Sequence, residues 1–142
     1  MNMGNLIVKD YTEYIDMIKM RLSPRRFQHC LQVAQVAAQL AAIYGVDPDR
    51  AYLTGLLHDY AKGLSGGELL RLAEENGLIK AEEDRQVPDL LHAPVGAYLL
   101  QKELGIADPE VLWAVACHTM GALDMNGLDK IIFLADMVDP GR

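Results

Sequence analysis

A chain of 142 residues is long enough to bury one real core and too short for two. With 51% apolar residues, it still has no uninterrupted apolar run near the roughly 18 to 20 residues of a membrane helix, and Met1 to Asp10 lacks the pattern of a secretion signal. A net charge of -7 excludes general binding to nucleic acid or an anionic membrane, since either needs a surplus of Lys and Arg. The expectation is one soluble, cytoplasmic domain over residues 1–142. Cys30 and Cys117 show no Cys-x-x-Cys spacing, so reduced thiols are expected rather than a disulfide or zinc knuckle.

Tyr14, Ile15, Ile18 and Leu22 recur at helical intervals, which predicts an amphipathic helix from Tyr11 to Leu22, stopped before Pro24. Ser23-Pro24 then opens a second helix, Arg25 to Tyr44, with Gly45 as its stop. Arg26, His29, Val33, Val36 and Leu40 fall on one stripe of it, so His29 points with the core face. Asp47-Pro48 caps a third helix expected to run to about Lys62 and end at Gly63. Ser65 and Glu68 stand at capping-box spacing before a short helix that closes at Gly77. The charged patch from Ala81 to Gln86 reads as solvated surface.

His92 lies at the mouth of a helix that continues to Gly105, where the positive helix end favours a neutral, ligating imidazole. Asp108-Pro109 opens a helix through Val111 to Cys117 that delivers His118 and Thr119, and a loop over Gly121 to Gly127 precedes the last helix, Leu128 to Val138. Nothing alternates as a strand would, and there is no internal repeat. The expected fold is all-α, with roughly six to eight helices.

Within the third helix, His58 and Asp59 sit where core side chains are expected. A buried carboxylate is penalised by several kcal/mol unless a cation or hydrogen bonds compensate it. Each such residue alone reads equally well as a hydrogen-bonded core histidine or a surface acid. All four histidines, His29, His58, His92 and His118, occur in or beside apolar helices, however, and Asp59 and Asp136 do likewise. Imidazole with carboxylate suits Fe, Mn, Co or Zn. Four imidazoles and two carboxylates suffice for one complete metal site, or for two metals sharing a bridging carboxylate. Lys62, four residues after His58, would share a helical face with it and bring a positive donor to the metal.

The order His, then His-Asp, then Asp resembles the HD-domain metal-dependent phosphohydrolases, an all-helical superfamily. Arg26-Phe-Gln-His29, Gly55-Leu-Leu-His58-Asp59-Tyr-Ala-Lys62, Leu91-His92-Ala-Pro-Val-Gly-Ala97, His118-Thr-Met-Gly121 and Leu134-Ala-Asp136-Met-Val-Asp139-Pro-Gly-Arg142 narrow the resemblance to its bacterial YqeK-type branch. Those enzymes are symmetrical diadenosine tetraphosphate hydrolases that yield two ADP. Members of that branch usually have Glu where this chain has Asp139, and they continue past Pro-Gly-Arg for a further helical segment.

The resemblance implies that His29, His58, Asp59 and Asp136 hold iron, with Mn, Co or Mg as alternatives and Asp59 able to bridge to a second metal. It implies that His92 and His118 complete that second site or contact phosphate, and that Arg26, Lys62, Thr119 and Arg142 bind the phosphate chain or ADP. Asp59, Lys62, His92 and His118 would carry catalysis, through a hydroxide activated on the metal. A homodimer is also expected. Two other readings remain at this point: an HD-type phosphohydrolase for a deoxynucleoside monophosphate or a guanosine polyphosphate, and a non-catalytic metal- or nucleotide-binding signalling module.

Overall fold

The computed structural model describes residues 11–119 and 126–139. Eight α-helices occur in them: α1 Thr12–Arg21, α2 Pro24–Tyr44, α3 Pro48–Leu57, α4 Gly66–Glu75, α5 Glu83–Gln86, α6 His92–Leu104, α7 Pro109–Cys117 and α8 Gly127–Val138. A 3-10 turn, Pro88–Leu91, leads into α6. There are no strands among the described residues, so the all-α expectation holds.

Local chemistry starts most helices where the sequence said it would. Ser23 accepts from the Arg26 amide with Pro24 in the first turn, Asp47 accepts from Asp49, and Asp108 accepts from Glu110. Ser65 and Glu68 form the expected capping box. Asn126 and Asp129 form a second one, which the sequence reading passed over, so α8 begins at Gly127. Gly45, Gly77 and Gly105 all adopt positive φ and end their helices as expected. The patch expected to be solvated surface does carry the short, exposed helix α5.

The expected third helix is shorter than its apolar pattern suggests. It stops at Leu57, and residues 58–63 continue as turns. Tyr60, Lys62 and Leu64 each donate to a carbonyl three residues back, at 3.1, 2.8 and 3.1 Å. The cause is the imidazole of His58: its Nδ1 takes the Gly55 carbonyl at 2.6 Å, the acceptor that the Asp59 amide would use if the helix went on. The Asp59 amide instead donates to the Cys30 thiol. Gly63 is therefore no left-handed cap; a Cβ there would lie 2.6 Å from the Arg21 carbonyl oxygen, so the turn is pressed against the end of α1.

The packing of α3 positions everything else. It lies against α2, α7, α8 and α1, at the centre of the helices. A Cβ on Gly55 would stand 2.9 Å from the Ala34 Cα, so α2 and α3 touch backbone to backbone there. Ala34, Ala37, Ala38 and Ala41 keep the facing stripe of α2 thin and buried. That close approach brings His29 and His58 into edge contact, with ring centroids 5.2 Å apart.

Candidate metal centre

Six side chains from five places in the chain converge below the surface. His29 comes from the second turn of α2, His58 and Asp59 from the turn after α3, and His92 from the start of α6. His118 follows α7, and Asp136 lies in the last turn of α8. All six are buried, none more than 7% exposed.

The outer nitrogens of the rings fix what the inner ones can do. Nδ1 of His58, His92 and His118 faces the backbone carbonyls of Gly55, Asp89 and Val115 at 2.6, 2.7 and 2.6 Å. A carbonyl only accepts, so each Nδ1 carries the hydrogen and donates it, which leaves Nε2 as a lone pair directed inward. His29 differs: its Nδ1 donates to the carboxylate of Asp139, buried at 2.5 Å. Pairing of a ligating imidazole with an outer carbonyl or carboxylate is the usual support of a metal ligand.

Those lone pairs face other lone pairs. Oδ2 of Asp59 lies 3.7 Å from His29 Nε2 and 3.4 Å from His58 Nε2. Its other oxygen, Oδ1, lies 3.4 Å from His92 Nε2 and 3.3 Å from His118 Nε2. Asp136 Oδ1 stands 2.8 Å from His29 Nε2 and 3.4 Å from His58 Nε2. The Nε2 atoms of His92 and His118 are 3.1 Å apart. His58 Nε2 is fully buried and has no hydrogen-bond partner. A cluster of acceptors this dense calls for positive charge between them.

The titration behaviour has the same origin. Burial pulls the His58 pKa down, but the charge of Asp59, the Asp136 carboxylate and the Gly55 carbonyl outweigh it and lift the value to about 9. Burial raises the carboxyl pKa of Asp59, yet His58, His118 and His92 together hold it well below the ordinary range. For Asp136, the facing rings of His29 and His58 likewise overcome burial and lower it. Burial lowers His118 and keeps that ring neutral. Without a metal the cluster therefore traps a proton; a divalent cation answers the same need more fully. Cys30, packed beneath Asp59, is kept a neutral thiol by burial and is no rival ligand.

Three sets of side chains offer one donor atom each, all within 4.8 Å of one another: His29, His58 and Asp59; His58, His118 and Asp136; and Asp59, His92 and His118. Asp59 belongs to the first and third through different oxygens. The donors, imidazole nitrogen with carboxylate oxygen, fit a borderline divalent metal.

Of the other residues singled out in the sequence, Arg26 reaches Asp59 Oδ2 with Nη1 at 3.1 Å. Lys62 does not share a helical face with His58, because the helix has ended; its Nζ pairs with Asp89 at 2.8 Å on the rim. Thr119 lines an outer groove beside His118. Arg142 lies outside the described residues. Sequence reasoning noted Asp139 only as a departure from the family's usual Glu, without a role, and overlooked Asp89. Both stand three residues from a ligand, Asp136 and His92 respectively, and that spacing was the available signal.

This arrangement is that of a recognisable class. The profile of the HD domain family matches residues 26–141, and the chain belongs to that family, as its motifs suggested. It is 41% identical over 128 residues to a protein of Halalkalibacterium halodurans named symmetrical bis(5'-nucleosyl)-tetraphosphatase, covering 90% of this chain and 68% of that one. A protein of the same name from Bacillus subtilis is 35% identical over 130 residues, covering 92% and 69%. Among solved structures, a predicted HD superfamily hydrolase involved in NAD metabolism from Clostridium acetobutylicum superposes with a TM-score of 0.89 at 38% identity. That match covers 94% of this chain and 70% of the other. No described helix is long and apolar enough to cross a membrane.

Proposed function

We propose that this protein hydrolyses diadenosine tetraphosphate symmetrically into two ADP at the His/Asp centre. The observation that carries the reading is Asp59, whose two carboxylate oxygens each face a separate pair of buried imidazoles. Relatives at 41% and 35% identity bearing the name of that activity supply the substrate class. His29, His58, Asp59 and Asp136 hold one iron ion, and Asp59 with His92 and His118 holds a second or receives phosphate. A cation held there polarises a phosphoryl oxygen and lowers the pKa of bound water toward neutrality.

The protein's own part is placement and charge. The four Nδ1–H bonds lock the rings, so little reorganisation is needed as the reaction proceeds. Arg26, already against Asp59, and Lys62, at the rim, neutralise negative charge that develops on the departing ADP. Thr119 and Arg142 extend that binding to the rest of the phosphate chain. A cytoplasmic setting belongs to the same reading and suits Cys30 and Cys117, neither of which is in a disulfide.

The test is product analysis. Metal-loaded protein incubated with diadenosine tetraphosphate is expected to give ADP alone, and Asp59→Ala to lose metal and turnover together. ATP plus AMP would reject the symmetrical cut; turnover of deoxynucleoside monophosphates or guanosine polyphosphates with none of the dinucleotide would reject the substrate. For the homodimer, Tyr44 of α2 and Leu134 of α8 are exposed apolar side chains that line one groove. Sedimentation showing only the monomer mass would reject it.

A further inference from the structure

The six side chains of the cluster are buried, with facing atoms 2.8 to 3.7 Å apart, which leaves no place among them for a base. A nucleobase must therefore lie outside, within reach of the histidines. Along the outer side of α6 and α7 run two adjoining cavities of about 350 and 380 Å³, which share Leu78, Lys80, Pro94, Trp113 and Ala116 as walls. Volumes of this size are typical of small-molecule sites.

The groove runs past the two segments that carry His92 and His118, although neither buried ring lines it. Leu91 lines it immediately before His92, and Cys117 and Thr119 line it on either side of His118. The imidazoles of those two histidines face Asp59 Oδ1. Trp113, the single tryptophan of the chain, is 40% exposed on α7 although Ala114 and Val115 beside it are buried, and Leu90 is 37% exposed at the far wall. The opposite wall is held in shape by the amides of Lys80 and Ala81, which donate to the Asp84 carboxylate at 3.1 and 3.2 Å. A half-exposed indole between apolar walls, with a lysine at the rim, is the surface on which a base stacks while its phosphates run elsewhere.

We propose that the groove between α6 and α7 is the nucleoside subsite of this enzyme, where a nucleobase stacks on Trp113 and its phosphates pass Thr119 to reach His92 and His118. The inference rests on the dinucleotide reading above and adds where the base is held. Because stacking does not distinguish bases by hydrogen bonding, the subsite accepts the class of nucleoside diphosphates rather than adenine alone.

Trp113 reports on the groove directly, since all tryptophan emission comes from it. With the metal-loaded full chain, ADP is expected to quench that emission saturably and pyrophosphate to leave it unchanged. Trp113→Ala is expected to raise KM for diadenosine tetraphosphate about tenfold, as loss of one base-stacking contact would. Trp113→Phe should recover most of the loss, and Met20→Ser, at an exposed position of α1, should leave KM as it was; metal content and melting temperature verify that each variant is folded. An emission indifferent to saturating ADP, an equal response to pyrophosphate, or an unchanged KM in Trp113→Ala would overturn the subsite. The two readings fail separately: quenching by ADP without turnover removes the reaction and keeps the groove, whereas turnover without quenching removes the groove and keeps the reaction.

Discussion

Asp139 touches no substrate in this account, yet removing it should be felt at the metal. Its Oδ2 receives the Nδ1 hydrogen of His29 at 2.5 Å, both groups being buried, so the bond is charge-assisted and short. Outer partners of ligating histidines typically contribute 10- to 100-fold in metal affinity, or about 1.4 to 2.8 kcal/mol. Asp139→Asn keeps an accepting oxygen and removes the charge, so it belongs near tenfold. Asp139→Ala leaves the buried Nδ1–H of His29 without a partner, which costs about 1 to 3 kcal/mol, and belongs near 100-fold. Calorimetric titration of chelator-stripped protein with Mn²⁺ measures both. The order parent, Asn, Ala in affinity is the expected outcome, while parental affinity in Asp139→Ala would refute the role assigned to this carboxylate.

Other consequences follow from the same geometry. Lys62→Ala should leave the metal content at the parental level and act on KM or kcat for the dinucleotide, because Nζ pairs with Asp89 at the rim and not with a ligand; loss of metal in that variant would contradict it. Gly55→Ala should lower stability by about 1 to 3 kcal/mol, seen as a fall in melting temperature, because the new Cβ would sit 2.9 Å from the Ala34 backbone; an unchanged melting temperature would count against the tight α2/α3 contact. Metal at 100 times its Kd should stabilise the fold by about 2.7 kcal/mol, or roughly 5 to 10 °C, over the chelated form. That gap should widen with pH. In the metal-free protein the His58 pKa is raised from 6.5 to about 9, so its contribution to stability is complete below 6.5 and is lost as pH rises toward 9. Metal must displace that same proton, so affinity climbs over the interval. Melting curves with and without chelator at several pH values check this, and a gap that ignores pH would exclude His58 as the competing proton site.

The sequence made the ligand types visible and hid their orientation. An adjacent His58 and Asp59 in an apolar run already implied buried charge, and the caps Ser23, Asp47, Ser65 and Asp108 marked helix starts that the structure keeps. What periodicity could not register was the end of α3 at Leu57, since Tyr60 and Ala61 beyond it stay buried whether or not the backbone is helical. For the same reason Lys62 was assigned the wrong face. The division of Asp59 between two pairs of imidazoles depends on a side-chain torsion, for which a sequence pattern carries no signal.

One rule joins these cases. His58 and His118 stand just past the ends of helices, and His92 stands where a 3-10 turn ends. At such places Nδ1 docks on the carbonyl three residues back, which at Asp89 and Val115 also accepts from the histidine's own amide, and Nε2 is turned into the centre. His29 sits inside a 21-residue helix whose regular backbone pairing continues past it on both sides. Its Nδ1 has no such neighbour and needs an acceptor from elsewhere. Asp139, one residue past the last turn of α8 and three after the ligand Asp136, supplies it. The requirement for a side-chain partner thus comes from where His29 lies in its helix, and it falls on the one ligating histidine that the ends of helices cannot orient.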